Sequence, residues 1–467
     1  MRPRPNGRQS GERPVRCDLF FDHALLPSGW ARDVRISVAD GVIASVAHDA
    51  TCEGAQHTIG IAVPGLPNLH CHAFQRGMAG LTERRGPQRD SFWTWREVMY
   101  RFLAVLTPED VQTITAFAYM EMLESGFTCV GEFHYLHHDV DGRPFSDLGE
   151  MAARIATAAR QTGIGLTLLP SFYAYGGFGE AEPGNGQKRF LNDPERFSRL
   201  VERTRAIVAR LPHIHLGLAP HSLRAVTPRA LGAVVALQPE GPIHIHAAEQ
   251  AREVDECIEC LGAPPVQWLL DNFAIDRRWC LIHCTHMTTD ETHRLAASGA
   301  TAGLCPTTEA NLGDGIFNAS TYLGDGGVCG VGTDSNIQID AATELRQLEY
   351  SQRLLHQSRN VLAQCEGEST GHRLYMTALA GGAQALAQPI GAIDAGRWAD
   401  LVVFDADHPD LACGSDQWLD AFLFVGGRRL IRSVIVGGEI LVENGRHRQH
   451  DRISAAYRRT IARLLEA

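Results

Sequence analysis

Between residues 64 and 385, short apolar runs alternate with longer stretches in which apolar positions recur every three or four residues. The first pattern predicts strands buried on both faces, and the second predicts amphipathic helices packed over them. After an opening strand at 64, the apolar runs fall at 127–132, 165–171, 214–219, 243–246, 279–283, 301–305 and 327–332, which makes eight. The stretches between them have readable ends. Thr107-Pro108-Glu109-Asp110 combines an N-cap, a first-turn proline and two first-turn acids, and Gly126 is a stop. Eight such units in series predict a TIM-like (β/α)8 barrel, an α/β fold whose active site lies where strands end and loops begin. A doubly wound open sheet is disfavoured because no G-x-G-x-x-G follows the first strand.

Both chain ends carry strand-like alternation without helices. Segments 17–24, 33–39 and 42–47 read as strands, with Asp40-Gly41 as a hairpin turn, and 401–404, 422–425, 430–436 and 439–442 form a matching set. Neither set can bury a sheet face alone. Together they predict one small β-sandwich spanning 17–63 and 386–449, with the barrel of 64–385 inserted between its halves. Residues 450–467 read as a C-terminal helix. The first sixteen residues are rich in Arg, Pro and Gly without an apolar core, which predicts a disordered basic tail rather than a secretion signal.

Composition narrows the functions. With 44% hydrophobic and 21% charged residues the chain reads as globular, and no apolar run approaches the roughly eighteen residues of a membrane span. A formal charge of -11 argues against nucleic acid or anionic membranes as partners. The twelve cysteines are scattered, several inside predicted strands, and are expected as reduced thiols in a cytoplasm. Cys257-Ile-Glu-Cys260 has C-x-x-C spacing but no second pair, and in a predicted helix it reads as packing.

The predicted strand ends carry the chemistry. The first gives His70 and His72, two residues apart and so on one face of an extended backbone. The second gives Glu132, His134 and Tyr135, and the fourth gives His221 and Arg224. The fifth gives His244, His246 and Glu249, the sixth His283 and His286, and the eighth Asp334 and Asn336. A lone strand-end histidine is ordinarily a satisfied polar residue. Imidazoles and carboxylates at the ends of strands one, five, six and eight, in a fold that gathers those ends at one mouth, point to a metal site.

On these residues the chain resembles the amidohydrolase superfamily, and within it the N-formimino-L-glutamate deiminases, along its length after the basic tail. The general carriers are the H-x-H of His70 and His72, His246-x-x-Glu249, His283 and Asp334. The more specific ones are Leu69-His-Cys-His-Ala-Phe-Gln-Arg76, Asp90-Ser-Phe-Trp-Thr-Trp-Arg-Glu97, Glu132-Phe-His-Tyr135 and Ala219-Pro-His-Ser-Leu-Arg224. The resemblance implies metal ligands at His70, His72, His246 and Asp334, and proton-handling groups at Glu249 and His283. It also implies substrate contacts at Gln75, Arg96, Tyr135, His221 and Arg224. Cys71 departs from the family, which more often has a small residue such as serine there.

Relatives with two metals bridge them through a carboxylated lysine or an acid at the end of a middle strand. Lys188 is the only lysine here and lies in a Gly- and Pro-rich loop, so one metal per chain is expected. Three imidazoles and a carboxylate suit Zn2+ and also admit iron or manganese. Glu249, three residues past a ligand, is positioned to move a water's proton to a leaving nitrogen, provided its loop turns back toward the metal. His283 then holds the attacking oxygen, and Asp334 shares the base role. A linear amidine with two carboxylates calls for fixed cations, which Arg96 and Arg224 supply, whereas flat ring substrates call for a largely neutral pocket. Segment 81–100 is too long for a simple connection and reads as a lid, or as a packing or dimer element.

The expected activity is hydrolysis of N-formimino-L-glutamate to N-formyl-L-glutamate and ammonia, a step of histidine degradation, by a cytoplasmic homodimer acting on a small molecule. One alternative is a deaminase of a purine, pterin or triazine ring on the same scaffold. Another is a non-catalytic barrel used in assembly, against which the intact ligand set and Glu249 count. Zinc nucleobase deaminases of the other fold are excluded, because no histidine here begins an H-x-E.

Overall fold

The structure, a computed structural model, describes residues 16–58, 60–86 and 90–466, so the basic tail expected at 1–16 falls outside the described residues except for Arg16. Its centre is a ring of eight parallel strands. These are Leu66–Cys71, Phe127–His134, Gly165–Phe172, the split pair Ile214–Leu216 and Ala219–Pro220, Ile243–Ala247, Trp279–His283, Thr301–Leu304 and Val328–Val331. Hydrogen-bonded ladders join strands one to four and five to eight in chain order. Isolated bridges, Cys71 to Asp334 on one side and Leu218 to Ile243 and Ser222 to His246 on the other, close the ring.

The strands are almost wholly buried because helices cover the outside while side chains fill the inside. Closure depends on Gly332, where a Cβ would lie 2.6 Å from the His70 carbonyl oxygen. Strand eight can therefore run against strand one, with Asp334 N–H on His70 O at 3.0 Å and His72 N–H on Asp334 O at 2.9 Å. Beneath the strand beginnings lies the helix Thr370–Leu386, whose Ala385 carbonyl accepts from His244 Nε2 at 2.8 Å. That bond accounts for the one fifth-strand histidine that stays out of the site.

The two chain ends meet in a single nine-stranded sheet. Arg16–Leu26 pairs with Gly29–Ala39 and with Ile61–Pro64, and the latter is antiparallel to Leu401–Phe404, which continues into Ile431–Val436 and Glu439–Glu443. Asp40 and Gly41, at φ 51° and 81°, form the expected turn. Leu19, Phe21, Val34 and Ile36 from the first end share one apolar cluster with Leu401, Val403 and Ile435 from the other. A Cβ at Gly438 would lie 2.9 Å from Val38, so the sheet curls over its own apolar face as a sandwich does.

One expected strand is absent. Residues 422–425 belong to a helical stretch, Trp418–Ala421 followed by Phe422–Gly426. Short apolar runs fit a buried helix as well as a strand, and here tertiary packing decides. Phe422 packs on Phe404 with ring centroids 4.7 Å apart, and Arg346 Nη1 donates to Leu423 O at 3.2 Å. The chain ends in the helix His450–Glu466. No helix among the described residues is long and apolar enough to cross a membrane.

Candidate active site

Strand one delivers His70 and His72, strand five His246, and strand eight Asp334, all at the mouth where the strands end. The Nε2 atoms of His70 and His246 lie 3.2 Å apart, and Asp334 Oδ1 lies 3.4 Å from His70 Nε2 and 3.3 Å from His72 Nε2. Backbone carbonyls fix two of the rings: His72 Nδ1 donates to Phe133 O at 2.8 Å, and His246 Nδ1 to His221 O at 2.9 Å. A carbonyl only accepts, so the proton of each ring sits on Nδ1 and its Nε2 lone pair faces the others. Burial lowers the pKa of all three imidazoles, that of His70 to about 3, and the Asp334 carboxyl lies below its usual range although burial opposes its ionisation. Neutral nitrogens and one carboxylate aimed at a common point, with no protein donor between them, are the donor set a divalent cation takes. The residues present therefore fit the metal that the resemblance implies.

The backbone around this cluster is strained. Ala248, His283, Cys284, Asp334 and Asn336 all have φ between 44° and 72°, a region costing non-glycine residues about 1–3 kcal/mol each. At Ala248 the consequence is geometric: the chain reverses after His246, and Glu249 returns to the mouth. Its Oε1 lies 3.7 Å from His283 Nε2, which is also 3.8 Å from Asp334 Oδ2. Burial pushes the Glu249 carboxyl above its usual range. Burial disfavours charge on His283 too, but Glu249, Glu309 and Asp334 around it outweigh that effect and raise its pKa.

A cavity opens above the cluster. His72, Gln75, Arg96, Tyr135, His221, Arg224, His246, Glu249, His283 and Asp334 all line it, and His70 lies in its floor, fully buried. The ligand, proton-handling and substrate positions implied by the resemblance thus meet at one place, whereas Glu132, His134, His244, His286 and Asn336 from the same strand ends do not line the cavity. Gln75 Nε2 donates to Tyr135 Oη at 2.8 Å. Arg224 lies 3.7 Å from both Glu249 and Glu253, and these carboxylates raise its pKa against the opposing effect of burial. Arg96 has no carboxylate partner among the described residues and rests on the Trp93 ring, 4.6 Å from its centroid. The helix Phe92–Leu103 brings Arg96, Phe92, Trp95 and Tyr100 to the cavity, so of segment 81–100 it is the helical part from Phe92 that lines the site, with 87–89 outside the described residues.

The amidohydrolase family matches residues 61–441, and the N-terminal domain of formimidoylglutamate deiminase HutF matches residues 19–58. The chain belongs to the amidohydrolase family. A formimidoylglutamate deiminase of Pseudomonas aeruginosa is 49% identical over 96% of this chain and 99% of its own length. Among solved structures, an amidohydrolase from Brucella melitensis superposes with a TM-score of 0.92 at 50% identity, covering 96% of this chain and 100% of that one. An adenosine deaminase from Xanthomonas campestris with bound zinc has the same fold at 22% identity and a TM-score of 0.80, covering 97% and 99%. Families of this kind are metal-dependent, and the three-histidine cluster of this amidohydrolase conforms.

Three buried carboxylates of this amidohydrolase escaped sequence reasoning: Glu253, Glu309 and Asp314, each at most 6% exposed. Glu253 Oε2 accepts from Glu249 N–H at 3.1 Å, and Glu309 Oε1 accepts from His283 Nδ1 at 3.2 Å. Both sit near helix starts, where an acid reads as a cap. Tyr173, at the end of strand three, was missed too; its ring packs against His221 with centroids 4.6 Å apart.

Proposed function

We propose that the chain hydrolyses N-formimino-L-glutamate to N-formyl-L-glutamate and ammonia, a deimination within histidine degradation. It is a hydrolase acting on carbon–nitrogen bonds. The observation that carries the reading is a histidine cluster and two guanidiniums, Arg96 and Arg224, at one cavity. The 49% identity to the Pseudomonas deiminase over nearly the whole chain supports the same reaction.

In this reading His70, His72, His246 and Asp334 hold one divalent ion, with zinc favoured by three imidazoles and a carboxylate. Such an ion, when bound, acts as a Lewis acid and brings the pKa of a water to about 7. Glu249 takes one proton of the attacking water and gives it to the amidine nitrogen, and the second passes from the new hydroxyl to the same nitrogen as the carbonyl forms. The carbon–oxygen bond forms, the carbon–nitrogen bond breaks, nitrogen leaves as ammonia, and the carbon keeps its oxygen as a formyl group. His283 steadies the charge developing on the attacking oxygen, and Asp334 shares in proton transfer. Arg96 and Arg224 take the two carboxylates, and Gln75, Tyr135 and His221 hydrogen-bond the rest of the substrate.

We further propose a cytoplasmic homodimer. All twelve thiols are free, as a reducing compartment keeps them, and Leu354 and Val425, 80% and 58% exposed, offer apolar surface to a second copy. Ammonia release by the metal-loaded protein from N-formimino-L-glutamate, N-formimino-glycine and a purine tests the reaction, with elemental analysis expected to give one metal per chain. Faster release from the purine sinks the substrate assignment, and two metals per chain sink the mononuclear site.

A further inference from the structure

Glu309 has no part in the reaction as written above, yet it touches the machinery. It lies after the seventh strand on the short helix Pro306–Leu312, whose Leu312 lines the cavity. Its Oε1 accepts twice, from His283 Nδ1 at 3.2 Å and from the Cys305 backbone N–H at 2.8 Å. The opposite nitrogen of the same ring, Nε2, faces Glu249. An imidazole can turn by half a rotation about its Cβ–Cγ bond, which exchanges nitrogen for carbon at each edge, and a fixed partner at Nδ1 is what separates the two orientations. The need is acute at His283, whose φ of 72° launches the side chain from strained backbone. The Cys305 N–H supplies the fixity by anchoring the accepting oxygen to the strand end.

We propose that Glu309 is a positioning residue for the deimination: it holds the Nδ1–H of His283 so that Nε2 is the nitrogen presented to Glu249 and the substrate. The inference rests on the reading of the cavity as a formiminoglutamate site. Two rival roles make different predictions. Glu309 could serve only to tether the start of its helix through Cys305. Alternatively, His283, Cys305 and Glu309, whose ligand atoms lie within 4.8 Å of one another, could take a metal of their own.

A double-mutant cycle with His283→Asn separates these roles, using kcat, KM, bound metal and Tm of the metal-loaded enzyme. Glu309→Ala should lower kcat by about 10- to 100-fold with KM nearly unchanged, the usual effect of removing a group that orients a functional imidazole. Glu309→Gln, whose amide oxygen still accepts from Nδ1–H, should recover most of the loss. In the His283→Asn background Glu309→Ala should change kcat by less than about 2-fold, since nothing remains to position. If the alanine variant does not fold, Glu309→Asp keeps the charge, withdraws the oxygen by one methylene, and should show a smaller loss that again disappears beside His283→Asn. An equal loss with and without His283 overturns the proposal in favour of the helix tether, and loss of a second metal equivalent overturns it in favour of a metal site. If the parent enzyme does not deiminate formiminoglutamate, the substrate reading fails on its own. The positioning role is then decided by a crystal structure of Glu309→Ala, where a rotated His283 ring supports it and an unmoved ring overturns it.

Discussion

Glu249 and Arg224 lie 3.7 Å apart in the cavity, and substitution distinguishes what each contributes. Glu249→Gln keeps the shape and removes the proton carrier, so turnover should fall by at least about 100-fold while the metal stays bound. Loss of the metal in that variant, measured by elemental analysis, would make Glu249 structural. Arg224→Lys keeps the charge but loses the planar fork that grips a carboxylate, and should cost on the order of 1.5–3 kcal/mol in kcat/KM. The check is the preference for N-formimino-L-glutamate over N-formimino-glycine, which the substitution should narrow. These residues were legible in the sequence because a parallel barrel collects strand ends, and His70, His246, His283 and Asp334 stand at such ends. Glu309 was not, because an acid in the first turns of a helix looks the same whether it faces water or an imidazole.

For whole elements the local rules held where they had chemistry to act on. Thr107 and Asp110 cap the helix Pro108–Glu124 reciprocally: Thr107 Oγ1 accepts from Asp110 N–H at 3.3 Å, and Asp110 Oδ2 accepts from Thr107 N–H at 3.0 Å. Asp110 also pairs with Arg463, which ties the terminal helix His450–Glu466 to this one. Thr107→Ala should therefore lower stability by about 1 kcal/mol, and Asp110→Ala by more, because it releases two elements. Thermal melts of the two variants decide the order. Residues 422–425 escaped because four apolar residues carry no period, and their helical form is set by Phe404, Tyr375 and Arg346 from distant parts of the chain.

For the whole molecule, the seam between sheet and barrel gives a dependence on pH. Asp400 is buried there, its carbonyl accepting from Gly65 N–H and its Oδ1 from Gly437 N–H, both at 2.9 Å. Burial pushes its carboxyl up to about 7, so the folded chain holds a proton that the unfolded chain releases near pH 4. Between those values the native state binds more protons. This contribution to stability is thus full below about pH 4 and fades as pH rises to 7, a change on the order of 4 kcal/mol. Asp400→Asn removes the titration, and its Tm relative to the parent should rise between pH 5 and pH 8; a constant difference would show that the group does not titrate in this range.

The sheet that joins both ends also sets an order of events at the ribosome. Ile61 pairs on one edge with His23, made early, but its other edge is covered by Phe404. At about 5–20 residues per second, the roughly 340 intervening residues leave that strand edge open for some 17 to 70 seconds while the barrel is being made. Nascent chains stalled before Leu401 should therefore present an unpaired apolar edge, one that chaperones can recognise, and those stalled well beyond Glu443 should not.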